Sequence, residues 1–173
     1  MNLMREIKIE KITLNLGTGG SPDKLEKGMK LLQTISNATP VKTSSMKRIP
    51  TWGVRPKLAI ACKVTLRGKQ AEALLKRLLQ AVDEKLSEKN FDTSGNFSFG
   101  IDEYIKIPDV IYDVSIGIIG LEVAVTLQRP GFRIKRRIRK AAKIPMKHRI
   151  NREEAIQFVI SRFKIQVGEK YDH

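Results

Sequence analysis

Two short stretches of this chain alternate strictly between apolar and polar residues. Ile12, Leu14 and Leu16 alternate with Lys11, Thr13 and Asn15; Cys62, Val64 and Leu66 alternate with Lys63, Thr65 and Arg67. A period of two places successive side chains on opposite faces of an extended backbone. Each stretch therefore predicts a strand with one buried face and one polar face. Ile7 and Ile9 fall out of phase with Ile12, so a bulge or break is expected near Glu10. Phe97, Phe99 and Ile101 alternate in the same way, as do Leu121, Val123, Val125 and Leu127. Val41–Ser45 fits a shorter strand.

Helical spacing lies between these strands. After the turn Gly17-Thr18-Gly19-Gly20, Ser21 stands as an N-cap and Pro22 as the first helical residue. Leu25, Met29, Leu32 and Ile35 then predict a helix over 22–36, stopped by Asn37 and Pro40. Leu74, Leu75, Leu78, Leu79, Val82 and Leu86 predict the longest helix, over 70–88. Asn151, with Glu154 three residues on, forms a capping box for a last helix. Its core stripe is expected to be Ile156, Val159, Ile160 and Phe163. The expected class is α+β: a mostly antiparallel sheet with helices packed on one face and the other face open. Residues 1–173 are expected to form a single domain, with 46–58 as a projecting loop and 129–150 as a basic insertion.

Charge gives the open face a meaning. Pro40–Ala71 holds eight Lys/Arg and Val123–Ile150 holds ten, and neither contains an Asp or Glu. Together they hold 18 of the 33 basic residues; the net charge is +15. Solvated surfaces normally intersperse both signs. Blocks of one sign store repulsion that a polyanion relieves, and nucleic acid is the commonest such partner. The non-core faces of the two best strands, Lys11, Thr13, Asn15 and Lys63, Thr65, Arg67, can meet phosphates with cations and sugar hydroxyls with Thr and Asn. An ordinary solvated sheet face has similar composition; the adjoining acid-free blocks favour RNA. Arg133, Lys135, Arg136, Arg137, Arg139 and Lys140 are the densest cations. That run also fits a disordered segment or localisation signal. Ile134, Ile138, Ile144 and Met146 interrupt it, which gives it something to pack with. Trp52, beside Arg48, Arg55 and Lys57, either stacks on a nucleotide or anchors its loop in the core. Phe97 and Phe99 fit core packing better than stacking platforms.

Other classes find little support. Gly17–Gly20 fails the Walker spacing, and Pro22 occupies the third glycine position of a G-x-G-x-x-G turn, so neither phosphate motif is met. A nucleotide-binding or RNA-modifying enzyme using this turn is the alternative to a structural RNA-binding role; a non-specific nucleic-acid-binding basic protein is another. The two histidines, His148 and His173, have no spacing for a metal. Cys62 falls on an apolar strand face, and Asp102 and Glu103 are adjacent and point apart. No catalytic residue, metal or cofactor is expected. One cysteine excludes an internal disulfide. No apolar run reaches the roughly 18 residues of a membrane span, and Met1–Lys11 has none of signal-peptide length. A cytoplasmic protein without a membrane partner is expected.

Lys11-Ile12-Thr13-Leu14-Asn15-Leu16-Gly17 and Lys63-Val64-Thr65-Leu66-Arg67-Gly68 resemble two signature strands of the universal large-subunit ribosomal protein five family, and Gly95-Asn96-Phe97-Ser98-Phe99-Gly100-Ile101 resembles a third. The likeness runs in order along nearly the whole chain, and the three motifs together are highly specific. The basic segment after Arg129-Pro130-Gly131-Phe132 and the helix from Asn151 resemble the archaeal and eukaryotic branch; the helical N-terminal extension of bacterial members is not seen. The resemblance implies binding to 5S ribosomal RNA and anchoring of it in the central protuberance, beside large-subunit RNA and neighbouring large-subunit proteins. It also implies contact with P-site transfer RNA and a bridge to a small-subunit protein. Carried over by motif, Lys11, Thr13, Asn15, Lys63, Thr65 and Arg67 belong to the RNA face. Lys42, Thr43, Lys47 and Arg48 match flanking segments. The loop of Trp52, Gly53, Arg55 and Lys57 lies where the family's transfer-RNA-facing loop lies.

Overall fold

The computed structural model describes residues 2–168. In chain order its elements are β1 (Lys8–Gly17), α1 (Pro22–Ser36), β2 (Val41–Ser44), β3 (Ala59–Leu66), α2 (Gly68–Gln80), β4 (Lys85–Ser87), β5 (Phe97–Ile101), β6 (Leu121–Gln128), α3 (Arg133–Arg136), α4 (Arg152–Phe163) and β7 (Gln166–Gly168). Among the described residues, β2-β3-β1-β6-β5 form one sheet, antiparallel at every pairing, and β4 and β7 form a small parallel pair. The fold is α+β, as the alternation required.

The register of β1 shows how sequence pattern becomes packing. Lys8 and Ile9 face Gln128 and Leu127, but Lys11 faces Thr126, so Glu10 is the extra residue of a bulge. The bulge shifts the phase by one. It lets Ile7 and Ile9 reach the same core as Ile12, Leu14 and Leu16 although their spacing forbids it on a regular strand. Helix α1 packs on β3 and α2 packs on β1, both on the apolar face of the sheet. Cys62, Val64 and Leu66 are buried there with Leu31, Leu32, Ile35, Leu75 and Leu78. Asn37 closes α1 in the left-handed region, its N–H bonded to the Gln33 carbonyl.

Two expectations are corrected. The helix expected over 70–88 stops at Gln80, and α1 is the longer one. Asp83 and Glu84 adopt left-handed backbone, and the Glu84 carbonyl accepts a hydrogen bond from the Gln166 N–H at 2.9 Å. Leu86 is then buried from β4, paired with Val167. Val82 and Leu86 are buried as their spacing predicts, but a distant strand decides the backbone that achieves it. In α4 Val159 is buried and Ile156 and Phe163 pack partly buried against the core as expected, but Ile160 is 43% exposed and Ala155 is buried in its stead. Ala155 lies beside the Gly95 turn.

That turn gives a first prediction. Gly95 has φ +77°, and a Cβ there would stand 2.5 Å from Ile150 Cγ2 and 3.5 Å from Ala155 Cβ. Gly95→Ala combines left-handed strain with overpacking and is expected to cost about 2–4 kcal/mol. Urea unfolding checks it; a loss under about 0.5 kcal/mol, the size of an ordinary surface change, contradicts the packing described.

Candidate nucleic-acid interface

The face of the sheet opposite α1 and α2 is open over most of its area, and only its Lys11–Thr126 end borders the basic segment. Its register brings separate strands into rows. One row runs Val41, Lys63, Asn15, Glu122, Gly100 from β2 to β5; the next runs Thr65, Thr13, Ala124, Ser98; Lys11 and Thr126 sit side by side beyond them. Lys63, Thr65 and Arg67 are exposed, and Lys11, Thr13 and Asn15 are partly so. The centre is floored by small side chains, with Lys11, Lys63 and Arg67 around them. Such a surface lets a broad polyanion approach closely while longer cations reach its phosphates. Strand β6 adds a carboxylate that the pattern of β1 and β3 does not reveal: Glu122 Oε2 accepts from Asn15 Nδ2 at 3.2 Å.

The flanking candidates do not all join this face. Thr43 faces Ala61 on its side of the sheet, but Lys42 faces Cys62 and so lies on the helix side of the edge strand. Lys47 and Arg48 are exposed on the loop after β2. That loop is closed by mutual bonds between Ile49 and Val54, turns through Pro50–Trp52, and has Gly53 at φ +64°. Val54 is buried at its base; Trp52 is 75% exposed. The alternative in which Trp52 anchors the loop in the core is thus removed. Gly53, Arg55 and Lys57 are exposed around it. Phe97 and Phe99 are core residues, 3% and 7% exposed, with ring centroids 6.4 Å apart.

The basic segment leaves β6 and returns at α4. Arg133, Lys135, Arg137, Arg139 and Lys140 are exposed. Arg136 is held: it pairs with Glu10 at the bulge and donates to Gln128 Oε1 at 2.9 Å. The segment's root is fixed by a residue outside the sequence-predicted set. Arg129 is 4% exposed; it donates to the carbonyl oxygens of His148 at 3.4 Å and Arg149 at 2.9 Å, and to Glu154 Oε1 at 2.8 Å. Glu154 in turn accepts from the Asn151 N–H at 3.1 Å, which is the expected capping box. Burial raises the Glu154 carboxyl, but these two donors outweigh it and hold it below the usual carboxylate range. His148 Nε2 lies 2.9 Å from the Pro130 carbonyl oxygen, a group that only accepts, so the ring donates there. A signal for Arg129 is present in the sequence: it continues the core phase of Leu121, Val123, Val125 and Leu127. A cation in that phase requires buried partners.

Thr18 is buried, and its N–H and hydroxyl both donate to the Ile60 carbonyl, at 2.9 and 3.1 Å, so the Gly17–Gly20 turn ties β1 to β3. Cys62 is buried, and desolvation pushes its thiol up. No cluster of potential metal ligands occurs among the described residues, and His173 lies outside them. No described helix is long and apolar enough to cross a membrane.

Residues 2–55 match the family model described as ribosomal protein L5, and residues 59–158 match the model of the same ribosomal family's C-terminus. The chain is 45% identical over 170 residues to the large ribosomal subunit protein uL5 of Sulfurisphaera tokodaii, covering 98% of this chain and 96% of that relative. It is 47% identical over 165 residues to the same-named protein of Nanoarchaeum equitans, covering 95% and 97%. The corresponding figures for Sulfolobus acidocaldarius are 44% over 168 residues, 97% and 94%.

Proposed function

This chain belongs to the ribosomal protein L5 family and is a structural constituent of the large ribosomal subunit, not an enzyme; from that premise we propose that it holds 5S ribosomal RNA on its open sheet face. The observation that carries this reading is the exposure of Lys63, Thr65 and Arg67 beside the partly exposed Lys11, Thr13 and Asn15, on the face opposite α1 and α2. Thr and Asn supply partners for 2′-hydroxyls, and the cations neutralise phosphates. Residues 129–150 act in this reading as one basic insertion of a single domain, gripping RNA beside the sheet; large-subunit RNA is a further partner. The projecting loop over 46–58 offers Trp52, Arg55 and Lys57 to P-site transfer RNA. The family's bridge to a small-subunit protein and contacts with large-subunit neighbours complete this reading. Ile111, Val114 and Ile118, 88%, 81% and 65% exposed, form apolar surface of the kind a protein neighbour can cover.

The test is a double variant, Lys63→Ala with Arg67→Ala. Both side chains are exposed, so unfolding free energy is expected to change by less than about 0.5 kcal/mol for each. Affinity for 5S RNA is expected to fall by on the order of tenfold. The slope of log affinity against log salt should flatten by the share of about two phosphates. Undiminished binding by the folded double variant removes the assigned face. Duplex DNA competing as well as 5S RNA favours non-specific binding instead.

A further inference from the structure

Where the open face meets the basic segment, the surface sinks into a groove of about 960 Å³. One side is the bulged end of β1 and its partner β6; the other is the segment from Phe132 to Asn151. Lys11 and Thr126 line the groove and belong also to the open face, so the two surfaces are continuous.

The lining has three chemistries that a surface for helical RNA does not need together. Lys11, Lys135, Lys143 and Arg149 place positive charge on both sides. The one carboxylate among the described lining residues, Glu10, is neutralised by its ion pair with Arg136. Thr126 and Ser94 contribute hydroxyls. Phe132, Ile144 and Met146 contribute apolar surface, and Met146 is 80% exposed. An RNA helix presents phosphates and 2′-hydroxyls outward and keeps its bases stacked within. It would use the cations and hydroxyls but leave the apolar wall in water. A nucleotide turned out of an RNA loop or bulge uses all three: phosphate to the cations, ribose to the hydroxyls, base face against the apolar wall.

We propose that this groove takes one unpaired nucleotide of the bound RNA. The inference rests on the RNA-binding reading above and adds to it the kind of RNA feature recognised. The groove is held ready without RNA: Arg136 fixes one rim through Glu10 and Gln128, and Arg149 Nε donates to the Ile144 carbonyl at 3.2 Å on the other.

The experiment uses the full chain with 5S ribosomal RNA, probed by hydroxyl radical for the backbone and by dimethyl sulfate for base edges. The variant is Ile144→Ala with Met146→Ala, which removes apolar surface and no charge. The expected result is an unpaired base protected in the wild-type complex and released in the variant, with backbone protection kept. Affinity is expected to fall by roughly five- to a hundredfold, the range for one base-stacking contact. Identical base protection in both proteins, or no unpaired base protected by wild type, overturns the proposal while leaving the sheet face intact. Absence of any protection by wild type overturns the RNA reading itself. Circular dichroism of the variant verifies folding; if it is misfolded, Ile144→Ser alone at the rim replaces it with the same expected outcomes.

Discussion

Arg129→Met is expected to lower the unfolding free energy by about 2–4 kcal/mol and to free the basic segment from its root. Removing one partner of a buried charged network costs more than the network contributes, because the other members stay behind unpaired. Here the carbonyls of His148 and Arg149 lose their donor, and Glu154 loses its cation. The Glu154 side chain is 41% exposed and can be hydrated, which keeps the loss below that of a fully buried pair. For a chain of this size the melting temperature should fall by roughly 4–16 °C. Acid adds a second readout. A carboxyl whose folded pKa lies below its unfolded value contributes stability above the unfolded pKa and loses it as pH falls through the folded one. Glu154 is such a group, its folded carboxyl held below the ordinary carboxylate range. Without Arg129 its depression shrinks, so the variant should begin to lose this contribution at a higher pH than the wild type. Limited proteolysis within 133–149 should also accelerate. A variant with unchanged melting, acid profile and proteolysis would show that Arg129 does not hold this junction.

Replacing Arg133, Lys135, Arg137 and Lys140 together by Gln is expected to reduce 5S RNA affinity by on the order of a hundredfold at physiological salt. Every phosphate no longer neutralised takes about 0.7–0.9 from the salt slope. Four such phosphates should flatten it by roughly three units. All four side chains are exposed, so thermal unfolding is expected to stay close to wild type. Arg137 bonds only locally, its Nε to the Lys140 carbonyl at 2.7 Å. Arg136 is left in place because it anchors the segment to Glu10, and its removal would confuse position with charge. An affinity loss without a change in slope would mean these cations act on the fold and not on phosphates. Unchanged affinity would remove the segment from the interface. The two experiments separate holding the segment from using it: Arg129→Met should alter stability strongly and binding through disorder, whereas the fourfold variant should alter binding alone.

Local pattern is a reliable guide wherever one element's own residues set its conformation. The alternation of β1 and β3, the bulge implied by Ile7 and Ile9, the helix from Pro22 to Ser36 and the Asn151 capping box all follow from period, cap and turn chemistry. Pattern fails where a partner far along the chain decides. The end of α2 depends on Gln166 bonding Glu84, and the burial of Ala155 where Ile160 was expected depends on the Gly95 turn beside it. The interface divides the same way. The polar face of β1 and β3 is visible in their alternation, but Glu122 enters it only through the pairing of β6 with β1. Arg136 reads as one cation among many until Glu10 is seen to hold it.

The order of residues is enough for a sheet with one apolar and one polar face, for the helices that cover the first, and for the concentration of positive charge. Periodicity and composition are properties of neighbours along the chain, and they suffice for these. Which cations are exposed and which are pinned, that Lys42 turns away from Lys63, and that the open face runs into a groove beneath the basic segment all follow from the assembled fold. Those outcomes depend on distances between residues remote in sequence, where hydrogen bonds and burial select one partner from many that composition would allow.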